Sequence, residues 1–310
     1  MTNPSSSTGP TAAPHSPIHS TRLRRAVLAV SVIALAATGL TACGSSSATS
    51  TAAATVTPAA VMHTVSNHGH RLAFYVTSGH QPAIVLDAGG GNDSTYWKKL
   101  VPSLSRLTGS EVITYDRAGM GNSEYVPGPI QGKDAASDLA AGLEQLHITH
   151  GAVLVAHAEA GEVATNFVDE YPGVVSGAVL VDATVPEFYT PEETARIVAA
   201  EAPQVAAAKK QKPTKAGRQL IAEAENYGPE HLAYNTMSWP PNVPAIAIVS
   251  ASTPFPTALD AQRWRQAQSE FVDAAPNRRL VTAAHSSHDI PLDRQQLVVD
   301  EIQDMVKKLH

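Results

Sequence analysis

Residues 153–161 read Val153-Leu154-Val155-Ala156-His157-Ala158-Glu159-Ala160-Gly161. The run Ala152–Ala156 is apolar at every position, the pattern of a strand buried on both faces. Small residues then lead directly into a second pattern, Gly161–Tyr171, that reads as a helix stopped by Pro172, which has no N–H to continue it. A fully buried strand feeding a helix through a tight turn is the repeating unit of a parallel sheet.

The same rhythm extends in both directions. Upstream, Ala83–Asp87 is a continuous apolar strand ending in Ala88-Gly89-Gly90-Gly91, and Thr95–Leu107 reads as a helix with Trp97, Leu100, Val101 and Leu104 on one face. Glu111–Tyr115 predicts a strand and Asp134–Leu146 a helix. Before them, Val61–Ser66 and Arg71–Thr77 flank Asn67-His68-Gly69-His70, which suits a hairpin. Downstream, Gly177–Val181, Ala245–Ser250 and Arg279–Ala283 are strands, and Arg294–Leu309 is a helix with Val298, Ile302, Met305 and Leu309 at helical spacing. The expected fold is α/β: a mainly parallel sheet, covered on both faces. The stretch from about 186 to 244 interrupts the alternation with helical sequence (Glu192–Lys212) and several prolines, as an inserted helical cap would.

The front of the chain has a different composition. Residues 1–20 carry no charged side chain, Arg22, Arg24 and Arg25 follow, and then an uncharged run of 17 residues from Ala26 to Ala42. That run falls short of the roughly 20 apolar residues of a membrane-spanning helix and fits a secretory signal. Leu40-Thr41-Ala42-Cys43-Gly44 resembles the lipobox of bacterial lipoproteins, in which the cysteine is lipidated and becomes the mature N-terminus. Cys43 is the only cysteine of 310 residues, and the Ser/Thr/Ala-rich stretch after it reads as a flexible tether. The alternatives are an uncleaved anchor or an ordinary cleaved signal. The expected organisation is a signal peptide over 1–42, a tether over 43–59 and one folded domain over 60–310. The protein is then expected outside the cell, held to the outer face of the bacterial membrane through the lipid alone.

Charge excludes one class of partner. The chain holds 22 basic and 28 acidic side chains. Three of the basic ones precede Cys43, so residues 43–310 carry 19 basic against 28 acidic side chains, a net of −9. Nucleic acid, which needs clustered Lys and Arg, is not an expected partner. A single cysteine also excludes an internal disulfide and any zinc site built from several thiolates. His68-x-His70 and His285-x-x-His288 lack convergent carboxylates and read as turn residues, so neither a metal nor a cofactor is expected.

In sheets of this kind chemistry collects at the carboxyl ends of strands. Four such ends stand out: Asp87–Asn92, Asp116-Arg117-Ala118-Gly119-Met120-Gly121-Asn122-Ser123, the stretch 153–161, and His285-Ser286-Ser287-His288-Asp289-Ile290-Pro291. In this order and at this spacing they resemble the α/β-hydrolase family, over residues 60–310. The most specific element is the second block, similar to the family's D-R-x-G-x-G-x-S turn.

The resemblance implies roles. It aligns 156–160 with the family's nucleophile elbow, G-x-S-x-G, placing Ala156 and Ala160 at its glycine positions and Ala158 where the serine attacks. A methyl group cannot attack a carbonyl. The family histidine falls on His288, with His285 as a nearby competitor. The acid is open between two positions. Asp182 ends the strand before the cap, whereas the usual place after Ala245–Ser250 holds no carboxylate before Asp260. The implied oxyanion donors are backbone N–H groups near Gly90 and of Glu159. Substitutes for the missing hydroxyl are weak. Glu159 stands one position late, Ser286 and Ser287 adjoin His288 too closely in sequence, and a water activated by His288 forgoes covalent catalysis.

The functional expectations are two. One is a hydrolase by lineage, acting on an ester or related bond, weakened or silenced at Ala158. The other is a non-catalytic protein that holds a small apolar or ester-like ligand on the same scaffold. Phe188, Tyr189, Tyr227, Tyr234, Met237 and Trp239 in the insertion suit either an apolar pocket or the cap's own core. A purely structural role has no positive sign in the sequence.

Overall fold

The computed structural model describes residues 58–309. The signal segment, Cys43 and most of the tether therefore lie outside the described residues. Strands β1 (Val61–Asn67), β2 (His70–Thr77) and β3 (His80–Asp87) are followed by α1 (Val101–Thr108), β4 (Ser110–Asp116), α2 (Gly132–Gln145), β5 (Ala152–His157), α3 (Ala160–Glu170) and β6 (Val175–Val181). The inserted helices α4 (Pro191–Lys209) and α5 (Lys215–Tyr234) come next. The chain closes with β7 (Ala245–Ser250), α6 (Ala258–Asp273), β8 (Arg278–Ala283), the short α7 (Ile290–Asp293) and α8 (Gln295–Lys308). The eight strands form one sheet in the order β1-β2-β4-β3-β5-β6-β7-β8. β2 is antiparallel to both β1 and β4, and the remaining pairs are parallel.

The sheet is buried on both sides, which is why its central strands are apolar without alternation. In β5, Ala152, Leu154 and Ala156 pack on the α2, α3 and α6 face with Leu139, Phe167 and Trp264. Val153 and Val155 face the opposite layer, with Leu100 and Leu104 beside α1 and Val298, Ile302 and Met305 of α8. One strand thus serves two cores through its period of two.

Four helices depart from the sequence expectation. The helix expected over Thr95–Leu107 is two pieces, a 3₁₀ turn at Ser94–Trp97 and then α1, which has Pro102 in its first turn. Proline lacks the N–H that a helix interior requires and is well placed in a first turn, so α1 starts there. Trp97, Leu100 and Leu104 are fully buried all the same. In the cap, the helix expected over Glu192–Lys212 ends at Lys209, and α5 was not anticipated. Nor was α6, whose inward side is Trp264, Ala267, Gln268 and Phe271. The cap aromatics Phe188, Tyr189, Tyr234 and Trp239 are buried in the core, and Tyr227 and Met237 pack against it. These six side chains are thus accounted for by packing within the protein.

Candidate active site

Parallel strands deliver their carboxyl ends to one edge, where β3, β4, β5, β6 and the β8–α7 loop bring their turns together. The block 116–123 is the brace. Asp116 accepts hydrogen bonds from the backbone N–H groups of Ser94 (2.8 Å) and Asn122 (2.7 Å), and from the Tyr75 hydroxyl (3.0 Å). Ser123 Oγ accepts from the N–H of Ala73 at 2.9 Å and donates to the Asp116 carbonyl. A short acidic side chain that satisfies several otherwise bare backbone donors fixes a turn, which explains the residue types of this motif.

Ala158 stands at the tip of the β5–α3 turn with φ 53°, a left-handed conformation that costs a non-glycine residue of order 1–3 kcal/mol. The turn is tied down on both sides. The Ala158 carbonyl accepts from Gly161 (3.0 Å) and Thr184 (2.9 Å), and its N–H donates to Val181 (3.3 Å). Gly89 of the β3 loop packs against it so closely that a Cβ there would lie 2.8 Å from the Ala158 methyl. A Cβ on Gly90 would collide with Glu159 Oε2. The close approach of the two turns leaves no room for a side chain at Gly89, whereas at Gly90 the Glu159 carboxylate would have to move aside.

His288 is joined to its acid. Its Nδ1 lies 2.7 Å from Asp182 Oδ2, and the Asp182 side chain is fully buried. The second carboxylate oxygen, Oδ1, accepts from the Trp264 indole N–H at 2.9 Å and from the Ser250 backbone N–H at 3.1 Å. Asp182 also has a left-handed backbone, φ 43°. The carboxylate is held at both oxygens, and its orientation leaves Nδ1–H as the proton shared with it and Nε2 as the free ring nitrogen of a neutral His288. Asp260 is elsewhere. It sits in the first turn of α6, bonds its cap residue Thr257, and pairs with Arg196 at 2.9 Å. The structure brings Asp182, and not Asp260, to His288.

The other named residues have local duties. Ser286 Oγ donates to the Ala283 carbonyl (2.8 Å) and Ser287 Oγ to Asp293 (2.7 Å), so both brace the loop. His285 is an exposed turn residue at φ 58°. His70 Nε2 meets Asp138 at 2.9 Å and His68 meets Ser137 at 3.2 Å. Among the described residues no group of three potential metal ligands converges.

Glu159 pairs with Arg117, Nη1 to Oε1 3.0 Å. Arg117 also donates to the Ala88 carbonyl at 3.0 Å and lies 3.7 Å from Asp87. Burial works against the Arg117 cation, but Glu159 and then Asp87 outweigh it and raise its pKa. Burial raises the Asp87 carboxyl to about 6, against the pull of Arg117.

Beside the turn is a ladder of rings. Tyr96 stacks on His157 (centroids 4.9 Å), and His157 lies 4.8 Å from His288. His157 Nε2 is 3.1 Å from the His288 carbonyl, an acceptor, so that nitrogen carries the proton; Nδ1 is buried with no partner. Burial, reinforced by His288, lowers its pKa to about 3, and the ring is neutral. Tyr96 donates its hydroxyl to Asp289 at 3.2 Å. Tyr96 and Trp264 were not singled out in the sequence. Nothing local marks them, since each reaches the site from an element whose place is set by the tertiary fold.

The sequence model of the alpha/beta hydrolase family matches residues 84–301. The chain belongs to that family. Known structures agree with this at the level of the fold. A thermophilic esterase from Thermogutta terrifontis, bound to malate, is 18% identical with a TM-score of 0.55, covering 81% of this chain and 99% of its own. The epoxide hydrolase CorEH is 17% identical with a TM-score of 0.59, covering 81% and 100%. An enol-lactonase from Burkholderia xenovorans is 19% identical with a TM-score of 0.54, covering 79% and 100%. No curated protein matches the sequence of this hydrolase-family chain. An esterase, an epoxide hydrolase and an enol-lactonase on one scaffold show why the fold alone does not assign chemistry.

Proposed function

We propose that this protein is an exported, lipid-anchored member of the alpha/beta hydrolase family whose inherited reaction, hydrolysis of an ester or related bond, is silenced at Ala158. The observation that carries the reading is the methyl group at the tip of a strained turn, next to a complete acid–imidazole pair. In a serine-bearing relative of this arrangement the hydroxyl would give its proton to His288 Nε2 as the oxygen attacks the carbonyl. Asp182 would then stabilise the imidazolium through Nδ1–H. Backbone N–H groups near Gly90 and of Glu159 would receive the oxyanion. In the chain as it stands, no side-chain hydroxyl among the described residues hydrogen-bonds His288 Nε2, which leaves water for it to deprotonate. That route lacks a covalent intermediate and is slow.

The test is to supply the atom. The Ala158→Ser variant of the soluble domain is expected to raise hydrolysis of p-nitrophenyl acetate on the order of 10²-fold or more, with His288→Ala in that background returning it to the starting level. No gain would show that the remaining groups are not poised for acyl transfer. Brisk hydrolysis by the unmodified chain, lost with His288→Ala, would show a different attacking group and overturn the reading.

The same methyl favours a second reading, a non-catalytic protein that retains a small apolar or ester-like ligand without turning it over. Ester analogues binding the unmodified chain, with no gain of rate in the serine variant, would select it. Anchoring rests on Leu40–Cys43 and is tested separately: Cys43→Ala should abolish incorporation of labelled palmitate and move the protein from the membrane to the soluble fraction. Unchanged labelling would remove the anchor from the proposal.

A further inference from the structure

The seam between the cap and the elbow helix is built from carboxyl groups. Glu162, in the first turn of α3, has a buried side chain, and its Oε1 has no hydrogen-bond partner among the described residues. That oxygen points at Gly132, the first residue of α2, where a Cβ would lie 3.0 Å away. Glu230 of α5 arrives at the same residue, and its Oε1 accepts the Gly132 N–H at 2.9 Å. The Glu162 and Glu230 carboxyls thus converge on Gly132, one from α3 and the other from α5.

The remaining neighbour fixes who holds a proton. His231 Nδ1 lies 2.9 Å from the carbonyl of Tyr227, so Nδ1 carries the hydrogen and Nε2 is a bare acceptor. That Nε2 faces Glu162 Oε2 at 3.5 Å. Glu162 thus stands between a carboxylate and an imidazole lone pair, both acceptors. An ionised Glu162 would meet repulsion from each, whereas a neutral one has a proton to donate. The other polar groups around it do not alter this. Glu159 adds negative charge from the same helix, Arg117 offsets part of it from the β4–α2 turn, and Tyr227 and Tyr234 of α5 and Tyr189 before α4 are neutral phenols.

We propose that Glu162 and Glu230 share one proton across the seam, and that this contact is a latch that holds α5 over the elbow helix and loosens as the proton is lost. A second carboxyl of α5 supports the same direction. Glu223, two turns before Glu230, lies near Glu159 and Arg117, and burial together with Glu159 pushes its carboxyl up to about 8. Burial and then Glu230 likewise raise Glu162 well above its ordinary value. Each group keeps its proton when the seam is closed and gives it up when the seam opens into water. Opening therefore becomes easier as pH rises from about 5 to the pKa of the closed state, by up to about tenfold per pH unit for each proton released. The helix that moves is the one beside the Gly91 loop, where Leu220 lies 3.3 Å from the place of a Gly91 Cβ, so the latch would control access to the candidate site.

Hydrogen exchange of α5 peptides between pH 5 and pH 9, normalised to the intrinsic exchange rate at each pH, reads the opening constant directly. The unmodified chain is expected to lose protection in α5 as pH rises, and Glu162→Gln, whose amide donates to Glu230 at every pH, to reduce that slope by about one proton. Glu230→Gln should reduce it too, since its amide can stabilise an ionised Glu162. Peptides of α8, on the far face of the sheet, should respond alike in all three proteins. An α5 slope that is absent in the unmodified chain, or the same in both variants as in it, would overturn the latch. Neither result bears on ester hydrolysis, so the two proposals fail independently.

Discussion

The two halves of the candidate site differ in how completely they are built. On the β6–β8 side, the Asp182 carboxylate is held at both oxygens by the Trp264 indole, the Ser250 N–H and His288. On the β5 side, a turn of equal strain ends in the Ala158 methyl. A buried carboxylate left without donors would cost several kcal/mol, so the acid–imidazole side needs its partners merely to fold. A serine hydroxyl at the partly exposed elbow has no such structural duty, and its loss costs little stability. The difference teaches which parts of a catalytic apparatus are also parts of the fold and which are there for chemistry alone.

That contrast can be broken from the side that is intact. In the A158S background, Asp182→Asn should lower the rate by about 10³-fold or more, because an amide in place of the carboxylate can present its NH₂ group to His288 and hold the ring in the wrong tautomer. The same change in the unmodified chain should leave its ester hydrolysis at the same low level and lower its thermal stability. A rate in the serine-bearing background that Asp182→Asn leaves unchanged would mean that the carboxylate serves folding only.

The legibility of the sequence follows the same division. The central strands were plain because burial on both faces leaves almost no polar residue to obscure them, and β7 runs from Ala245 to Ser250 as its apolar pattern indicates. Helix α6 was hidden because Trp264, Gln268 and Phe271 face inward among charged and polar neighbours, and a buried Gln268 that donates to the Ala183 carbonyl breaks the apolar stripe. The turn motif 116–123 was legible because its backbone conformation dictates residue types. Trp264 was not, because its use depends on where α6 packs beside β7 and β8. Glu162, Glu230 and His231 read in sequence as ordinary polar residues of helices, and only the docking of α5 on α3 makes them neighbours.

The smallest effect concerns the ring ladder beside the elbow and turns on a sign. The unfolded chain takes up a proton on His157 near pH 6.5, whereas the folded chain, with the ring buried, does not until about pH 3. Below 6.5 the unfolded state therefore binds more protons at this residue, and its share of stability is lost as pH falls from 6.5 towards 3. Glu162 and Asp87, with raised pKa values, push the other way, since their share of stability grows as pH falls towards that of an unfolded carboxyl. The net pH profile is thus a sum of opposed contributions, and only a difference between variants isolates one of them. His157→Gln keeps a donor for the His288 carbonyl and removes the titration. Urea unfolding at pH 7 and pH 4.5 should show the unmodified chain losing more stability than H157Q on acidification, by at most about 2–3 kcal/mol. An equal loss in both proteins would mean that His157 is hydrated or protonated in the folded state, and that the elbow is less tightly packed on its imidazole side than the Tyr96–His157–His288 ladder requires.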